Sequence, residues 1–410
     1  FNFSLENIIN TSFSNGIFPD LLKLAVIKPL FKKGCKTDIN NYRPILLSVI
    51  SKIIETAMKT HLSQYIQKNR LLTEKQFGFQ KNKNTSAAVW NFMQDIFDSM
   101  SLRQFTIGIF CYLSKAFDCV SHELLLQKLE KLGVRGVAKL WFTSYLENRQ
   151  QLCEIKYLTN TGIIDTFQSG YRTVKCGVPQ GSVLGPLLFL MYINDLVASF
   201  PTVKFTLFAD DTSLIFHNAC YNTLLLHANH IIGQINNWMN HHKLFLNINK
   251  SCYIFFHSSN VQINCPDITV DNNHIKPVSC TKFLGITIDD TFSWAPHIED
   301  LCFKLAKSIF LIKSVKDILG TKTSKQVYHA CFESLLSYGI EIWGSSVHVH
   351  KAFKLQKRAI RTILNMNRLD SCRGKFCFMQ LFTLTNLYIF RISLQIYNNK
   401  HNYIKPSDVH

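Results

Sequence analysis

Hydrophobic and polar residues alternate in blocks along the first 260 residues, and these blocks predict alternating strands and helices. The run Phe105–Tyr112 is largely apolar, which predicts a buried central strand. Lys204–Phe208 and Thr212–Phe216 flank Ala209-Asp210-Asp211, so we expect a β-hairpin with two acids at its tip. Further strands are predicted over Leu24–Phe31, Gln151–Tyr157, Gly162–Gln168 and Tyr253–His257.

Apolar residues spaced three and four apart predict the helices. One helix runs from the candidate N-cap Ser121 to Gly133. A second predicted helix begins at Ser48 and has the apolar stripe Ile50, Ile53, Ile54 and Met58. Two more helices are predicted over Gly181–Phe200 and Asn222–Met239. Beyond about Thr291 the pattern is helical, with the stripe Ile298, Leu301, Leu305, Ile309 and Ile312. The order strand, helix, hairpin, helix, strand is close to the split βαββαβ plan, so we expect an α+β fold.

Composition excludes a disordered chain and points to a polyanionic partner. The 410 residues are 47% hydrophobic, which is enough to bury a large core. The net charge is +18, and residues 301–410 hold 17 Lys and Arg against 5 Asp and Glu. Such a basic surface indicates nucleic acid, with simple solubility as the alternative. The longest apolar run, Gly185–Ile193, is far shorter than the ~18 residues of a membrane span, so we expect none.

The cysteines predict neither a disulfide framework nor a zinc site. Their number, 13, is odd, and no two are separated by two residues. Cys372 and Cys377 lie close together but lack a second pair and spaced histidines, so we expect reduced thiols in an intracellular protein. The chain opens with Phe1 and without a signal peptide, which predicts a piece of a longer polyprotein. We expect it in the nucleus, the cytoplasm or both.

The pair Asp210-Asp211 is the strongest indication of chemistry. Adjacent carboxylates resist joint ionisation because their charges repel, and a bound divalent cation removes that cost. Carboxylate oxygens suit Mg²⁺, which usually combines one or two of them with substrate phosphates. An acidic β-turn is the simpler explanation for an isolated Asp pair. The flanking apolar strands favour the metal site.

A second segment, Gly177–Pro186, is rich in glycine and proline and leads into a predicted helix. Such a rigid turn lets the backbone approach a ligand closely, and Gln180 offers both a donor and an acceptor. The N-terminus of the following helix can face phosphate or template. In isolation, a plain connection between loop and helix explains the segment equally well.

Taken in order, the segments resemble the reverse transcriptases of non-LTR (LINE-type) retrotransposons of the jockey-like kind, over nearly the whole chain. No single segment is specific, but the ordered set is. The segments are Leu24–Lys33, Asn41-Tyr42-Arg43-Pro44-Ile45, Gln76-Phe77-Gly78-Phe79, Ser114–Asp118, Gly177–Pro186, Tyr192–Leu196, Phe208–Asp211, Trp238 with Leu244, Leu246-Asn247 and Lys250, Phe283-Leu284-Gly285, Tyr338-Gly339, Trp343-Gly344 and Leu355–Ala359.

The resemblance implies a right-hand polymerase. Its parts would be fingers (1–103), a ferredoxin-like palm (104–260), a primer-grip region (261–300) and a basic helical thumb with the C-terminal part (301–410). It also implies an RNA-directed DNA polymerase that uses an RNA template, a DNA primer and deoxynucleoside triphosphates. Two Mg²⁺ ions are expected, with Mn²⁺ as a possible substitute.

By the same resemblance, Asp210 and Asp211 hold the metal ions. Nucleotide binding falls to Lys32, Arg43, Phe117, Gln180 and Gly181. Phe117 would pack under the sugar and exclude a 2′-hydroxyl, which selects deoxynucleotides. Lys250 is a candidate proton donor to the leaving group, and a solvated surface lysine is the alternative.

One catalytic position departs from the family. The first palm motif normally begins with an aspartate, and this chain has Tyr112 there, six residues before Asp118. Tyrosine, with a pKa near ~10, is neutral at pH 7 and a poor ligand for Mg²⁺. Asp118 lies past a turn and cannot replace it. We therefore expect a defective copy, with a loss larger than the roughly 10–100-fold caused by changes around metal ligands.

Two smaller departures point the same way. Gln80 stands where the family usually has Arg, and the segment Arg43–Val49 is one residue short, which would rotate the following helix by about 100°. Both suggest a decayed genomic copy, although a point mutation or a sequencing error explains Tyr112 alone. A non-catalytic nucleic-acid-binding relic is the competing hypothesis. A palm polymerase of the group II intron or telomerase type is a third.

Overall fold

The structure is a computed structural model that describes residues 2–47, 50–159, 162, 164–257 and 267–398. Apart from those gaps, it forms two compact units. The first contains residues 2–88, 98–253 and 267–276, and the second contains 89–97, 254–257 and 277–398. In this part of the chain, no helix is long and apolar enough to cross a membrane.

The elements follow in chain order. The strands are β1 (Leu24–Phe31), β2 (Tyr42–Leu47), β3 (Phe105–Cys111), β4 (Gln150–Leu158), β5 (Ile164–Gln168), β6 (Arg172–Thr173), β7 (Lys204–Phe208), β8 (Asp211–Asn218), β9 (Cys252–Phe256), β10 (Thr269–Val270), β11 (Asn273–His274), β12 (Lys276–Pro277), β13 (Cys280–Phe283) and β14 (Ile286–Asp289). The helices are α1 (Asn2–Asn15), α2 (Ile50–Lys68), α3 (Thr85–Ser101), α4 (His122–Lys131), α5 (Gly136–Leu146), α6 (Gly185–Ile193), α7 (Asp195–Ser199), α8 (Tyr221–His241), α9 (Ala295–Val327), α10 (Ser334–Ser337), α11 (Ile340–Trp343), α12 (Val349–Leu364), α13 (Lys375–Phe378) and α14 (Leu384–Asn398).

The sheet that carries the acidic hairpin has the order β9-β3-β8-β7, with short β12 outside β9. Strands β3, β7, β8 and β9 are the first to fourth strands of a βαββαβ unit, so the spatial order is four, one, three, two, as in ferredoxin-like folds. β8 pairs antiparallel with both β3 and β7. Helices α4 to α7 lie on the first connection and α8 on the second. The predicted α+β palm fold is therefore confirmed.

Another sheet, which lies within the first unit, has the order β2-β1-β4-β5, with β6 paired to β4. β1 is antiparallel to β2 and parallel to β4. The sheet thus joins strands from the ranges predicted as fingers and as palm. The four predicted domain ranges stay a prediction, and their residues 1, 48–49, 160–161, 163, 258–266 and 399–410 lie outside the described part of the chain.

Local signals placed helix α4 correctly. Ser121 Oγ accepts a hydrogen bond from Leu124 N at 3.4 Å, as expected of an N-cap. Leu125 and Leu129 are fully buried. The helix is followed by Gly133 in the left-handed conformation, with φ of 93°.

Helix α2 begins close to the predicted start, but its predicted apolar face is partly wrong. Ile50 and Ile53 are 54% and 42% exposed. The inward face instead consists of Ser51, Ile54, Glu55, Met58, Leu62 and Ile66. Ser48 and Val49, which ended the shortened segment, lie outside the described residues.

The single helix predicted over Gly181–Phe200 is also wrong, because α6 starts only at Gly185 and α7 follows as a separate short helix. Gly181 has a φ of 96°, which a right-handed helix does not allow. Ser182 N donates to Pro179 O at 3.1 Å, which closes a turn. Ser182 Oγ then accepts from Gly185 N at 3.0 Å and starts the helix.

The second unit contains the β13–β14 hairpin, whose turn is made by Leu284 and Gly285 at φ of 46° and 91°. Positive φ at both positions is the type I′ turn of tight hairpins. The Tyr338 hydroxyl donates to Leu284 O. The predicted stripe of α9, namely Ile298, Leu301, Leu305, Ile309 and Ile312, is buried. This helix kinks at Gly320.

Candidate active site

Asp210 and Asp211 lie at the tip of the β7–β8 hairpin, where Phe208 pairs with Asp211. Ala209 has a φ of 57°, a conformation that most side chains avoid. Ala209 is buried and both aspartates are half-buried. The tip is therefore a fixed, strained turn that presents two adjacent carboxylates.

The turn is held by the segment around Gln76, which lies along β7. Phe77 N donates to Leu207 O at 2.7 Å, and Leu207 N donates to the preceding residue of that segment, Lys75 O, at 2.9 Å. The buried Gln76 Oε1 accepts from Ala209 N at 3.0 Å and from Gly78 N at 2.8 Å. A Cβ on Gly78 would stand 2.5 Å from Ala209 N. Only glycine fits there without a shift of the hairpin tip.

The carboxylates are costly to ionise together in this setting. Burial raises the pKa of Asp210, against its own backbone hydrogen bond and the positive charges of Arg43 and Lys32. Burial, followed by the charge of Asp210, raises the pKa of Asp211 to about 6. A cation bound to the pair would offset both effects, because it favours the charged forms.

Lys32 and Arg43 lie at the end of the β1–β2 ladder, and their positive charges act on Asp210. Leu30 pairs with Arg43, and Lys32 N donates to Asn41 O at 2.8 Å. Side chains two residues apart on a strand share a face, so Lys32 and Arg43 lie on the same side. Both are exposed, and both act on the pKa of Asp210. The structure thus brings two residues predicted to bind the triphosphate within electrostatic reach of Asp210.

Tyr112 follows β3 directly. Cys111 pairs with Thr212, so the next residue toward the tip on each strand is Tyr112 on one side and Asp211 on the other. Tyr112 N donates to Ser251 Oγ at 3.1 Å, and its carbonyl accepts from Asn247 N at 2.7 Å. A tyrosine therefore stands level with Asp211, where the resemblance expects a third carboxylate.

Lys250 lies on the turn that contacts Tyr112. Its amide donates to Asn247 O at 3.1 Å, and Asn247 and Ser251 are the residues that bond the Tyr112 backbone. The Lys250 side chain is exposed. Backbone hydrogen bonds therefore hold this turn against the first palm motif. The role of Lys250 as a proton donor stays a prediction.

The remaining predicted nucleotide residues lie on the turns beside β3 and α6. Phe117 stacks on Phe189, with ring centroids 4.6 Å apart and planes at 28°. Gln180 Nε2 donates to Asp118 Oδ1 at 2.9 Å. Burial raises the pKa of Asp118, and this hydrogen bond opposes the rise. Gly181 follows Gln180 and is exposed.

Sequence reasoning missed Glu55, which is fully buried on α2. Its Oε2 accepts hydrogen bonds from Val183 N at 2.6 Å and from Leu184 N at 3.3 Å. Burial raises the pKa of Glu55, while these two amides and the charge of Arg149 lower it. Glu55 therefore anchors the two residues that precede α6, which lie three and four positions after Gln180. An acid on the buried face of an amphipathic helix is the signal that could have found it.

The acids present suit a metal ion whose coordination is completed by the substrate. Within the described ranges, no three His, Cys, Asp or Glu side chains are close enough together to hold a metal ion. The pair Asp210-Asp211 fits Mg²⁺ bound through carboxylates and phosphates. A bound cation would offset the burial and the charge repulsion that raise the pKa of Asp211.

Comparison with known families decides the classification. The family model described as reverse transcriptase (RNA-dependent DNA polymerase) matches residues 31–288, more than half of the chain. The chain belongs to the reverse transcriptase family. The match contains the whole acidic hairpin, Tyr112 and the Gly177–Pro186 segment. The resemblance to reverse transcriptases of LINE-type elements is confirmed by this match and by the relatives that follow.

Three curated relatives come from Drosophila melanogaster. The chain is 28% identical to the probable RNA-directed DNA polymerase from transposon BS, over 88% of this chain and 40% of the relative. It is 27% identical to the RNA-directed DNA polymerase from mobile element jockey, over 88% and 39%. It is 25% identical to the probable RNA-directed DNA polymerase from transposon X-element, over 84% and 38%. The chain therefore spans about 40% of the length of the curated relatives it matches.

Two solved structures share a weaker likeness. The structure of telomerase from Candida albicans with a TWJ fragment of telomeric RNA gives a TM-score of 0.47 at 12% identity, over 92% of this chain and 68% of that one. Apo telomerase from Candida tropicalis gives 0.47 at 11% identity, over 94% and 66%. Likeness at this level carries no argument about function.

Proposed function

We propose that this chain is the polymerase portion of a LINE-type reverse transcriptase, which copies an RNA template into DNA from a DNA primer. The observation that carries the proposal is that the positive charges of Lys32 and Arg43 act on Asp210, which stands beside Asp211 at a braced hairpin tip. Two anions beside two cations suit a triphosphate together with the metal ions that bind it. Copying of a genomic element would place the protein in the nucleus, the cytoplasm or both.

The residues of this chain mainly position the substrates. Asp210 and Asp211 would hold Mg²⁺ or Mn²⁺, which in this chemistry activates the primer 3′-hydroxyl and neutralises the pyrophosphate. Lys32 and Arg43 would bind the triphosphate as charged hydrogen-bond donors. Phe117, fixed by its stack on Phe189, would support the sugar and exclude a 2′-hydroxyl.

A second group of residues would orient the template and complete proton transfer. Asp118 accepts a hydrogen bond from the Gln180 amide, and this bond would hold that side chain beside the nucleotide. Gly181 leaves the backbone next to it open to the incoming base. Lys250, exposed on the turn that contacts Tyr112, would donate a proton to the leaving pyrophosphate.

We further propose that Tyr112 strongly impairs this copy. Its phenol brings no negative charge at neutral pH to a position level with Asp211. It also occupies space that a smaller carboxylate would leave for metal ions. The loss should exceed the roughly 10–100-fold that follows changes around metal ligands.

The specific alternative is a non-catalytic relic that still binds nucleic acid. Tyr112 favours it, as does the basic character of residues 301–410. Primer extension on poly(rA)/oligo(dT) with Mg²⁺ or Mn²⁺ tests both, using the Tyr112→Asp variant and a Tyr112→Asp/Asp210→Asn control. Extension by the first variant and not by the second supports the polymerase. Duplex binding without extension by either variant supports the relic.

A further inference from the structure

A cavity of about 880 Å³ lies within the second unit, between α12, the segment 371–383 and the start of α14. Three cations and three phenylalanines dominate its lining, namely Lys357, Arg361, Arg373, Phe353, Phe376 and Phe382. None of its described lining residues is acidic. The palm motifs assign no role to this cavity.

The cations are oriented by their neighbours. Lys357 Nζ lies 4.3 Å from the centroid of the Phe353 ring, a cation–π distance. Arg361 Nε donates to Asp370 O at 2.8 Å, which fixes the plane of the guanidinium and leaves its other nitrogens available. Arg373 is exposed at the rim. The lining is therefore positive without a matching acid.

One aromatic ring is presented on a rigid support. Phe382 is 46% exposed and stacks on Phe390, with centroids 5.4 Å apart and planes at 18°. The buried Gln356 donates through Nε2 to Phe382 O at 2.9 Å and accepts through Oε1 from Leu384 N at 2.9 Å. A buried amide that bonds both sides of this corner fixes the ring before any ligand arrives.

We propose that this cavity binds single-stranded nucleic acid, RNA or DNA. Phosphates would meet Lys357, Arg361 and Arg373, and one unpaired base would stack on Phe382. Cations beside an exposed aromatic ring are the combination that holds single strands, because every base has a π-face and every phosphate a charge. Inside a duplex both faces of each base are covered, so the bases of its interior cannot offer the stack. The choice of ligand rests on the proposed function, but the site needs no catalysis.

The location of binding can be read by photo-cross-linking. Full-length protein would be irradiated with a 20-nucleotide RNA that contains 4-thiouridine, with a matched DNA that contains 4-thiothymidine in a second arm, and the cross-linked peptides mapped by mass spectrometry. We expect a cross-link in the peptide that contains Phe382 in at least one arm, and its loss in Phe382→Ala. Absence of that cross-link in both arms would overturn the proposal.

Affinity supplies an independent measurement. In fluorescence anisotropy, Phe382→Ala should weaken single-strand binding by about 5- to 150-fold, the range for loss of one stacked base, and Phe382→Trp should retain it. Lys357→Ala and Arg373→Ala should each lower the slope of log Kd against log salt by about 0.7. Phe378→Ala and Arg368→Ala are matched controls, since both residues are exposed and neither lines the cavity. Equal losses in cavity and control variants would refute the site.

The two proposals fail separately. If the cross-link at Phe382 forms but the Tyr112→Asp variant extends no primer, the cavity stands and the polymerase proposal falls. If the Tyr112→Asp variant extends a primer, but Phe382→Ala and Lys357→Ala leave the Kd for single strands unchanged, only the proposal for the cavity is refuted. Thermal unfolding of each variant confirms that a loss of binding is not a loss of fold.

Discussion

Glu55 offers a sharp test of how the nucleotide segment is held. Glu55→Ala would leave the amides of Val183 and Leu184 without their acceptor. An amide left unsatisfied costs about 1–3 kcal/mol when it is buried. Leu184 is fully buried and Val183 half-buried, so the start of α6 should lose about 2–4 kcal/mol. Glu55→Gln retains an acceptor oxygen and should lose about 1 kcal/mol or less.

Hydrogen exchange measures this loss locally, which avoids assuming a two-state transition for a chain with two units. Peptides that cover residues 182–190 should exchange about 30-fold faster or more in Glu55→Ala, since 1.4 kcal/mol is a factor of ten. Lys59→Ala, an exposed change on the same helix, is the control. Unchanged exchange of these peptides in Glu55→Ala would refute the anchoring role.

The pH dependence of the same variants has a defined sign. Burial raises the pKa of Glu55 above its ordinary value of 4.5. Its contribution to stability is therefore fully present below pH 4.5 and is lost as pH rises through the folded-state pKa. Stability of the native chain should fall across that window more steeply than stability of Glu55→Gln. Identical pH profiles would mean that Glu55 titrates normally.

Three further changes address the hairpin and the nucleotide site. Gly78→Ala should destabilise the first unit by roughly 1–3 kcal/mol in thermal unfolding, because its Cβ would meet Ala209 N, while Gly170→Ala, whose Cβ meets open space, should not. Because the pKa of Asp211 is raised to about 6, its contribution to stability is present below pH 3.8 and is lost as pH rises through about 6. Over the same window the carboxylate becomes charged, so the affinity for Mn²⁺ measured by calorimetry should increase, and it should stay low in Asp211→Asn. In a Tyr112→Asp background, Phe117→Ala should raise the use of ribonucleotides relative to deoxynucleotides by about 10- to 100-fold in primer extension, and an unchanged ratio would remove Phe117 from sugar selection.

Local sequence signals were enough for the elements that carry the site. Strands β1 and β7 have the predicted bounds, since each apolar run is closed by charged or turn residues. The acidic pair lies at the predicted hairpin tip because a short polar turn separates two apolar runs. Ser121 caps α4 through a contact only three residues away. Signals of this kind depend on neighbours in the chain.

Contacts between distant residues could not be predicted in this way. Gln76 braces Ala209 across 133 positions, and Glu55 anchors Val183 across 128. No local pattern around Gln76 or Glu55 in the sequence indicates which distant residue it contacts. The exposure of Ile50 and Ile53 has the same origin, because packing against the rest of the unit decides which side of an amphipathic helix faces inward.

We propose that the missing carboxylate at position 112 is the main defect of this polymerase site. Single-turnover primer extension on poly(rA)/oligo(dT) tests it most directly, comparing the native chain with Tyr112→Asp and with Tyr112→Asn, which matches Asp in size but lacks its charge. We expect Tyr112→Asp to extend more than about 100-fold faster than the native chain, and Tyr112→Asn to stay slow. Extension by the native chain at a rate comparable to Tyr112→Asp would contradict the claim.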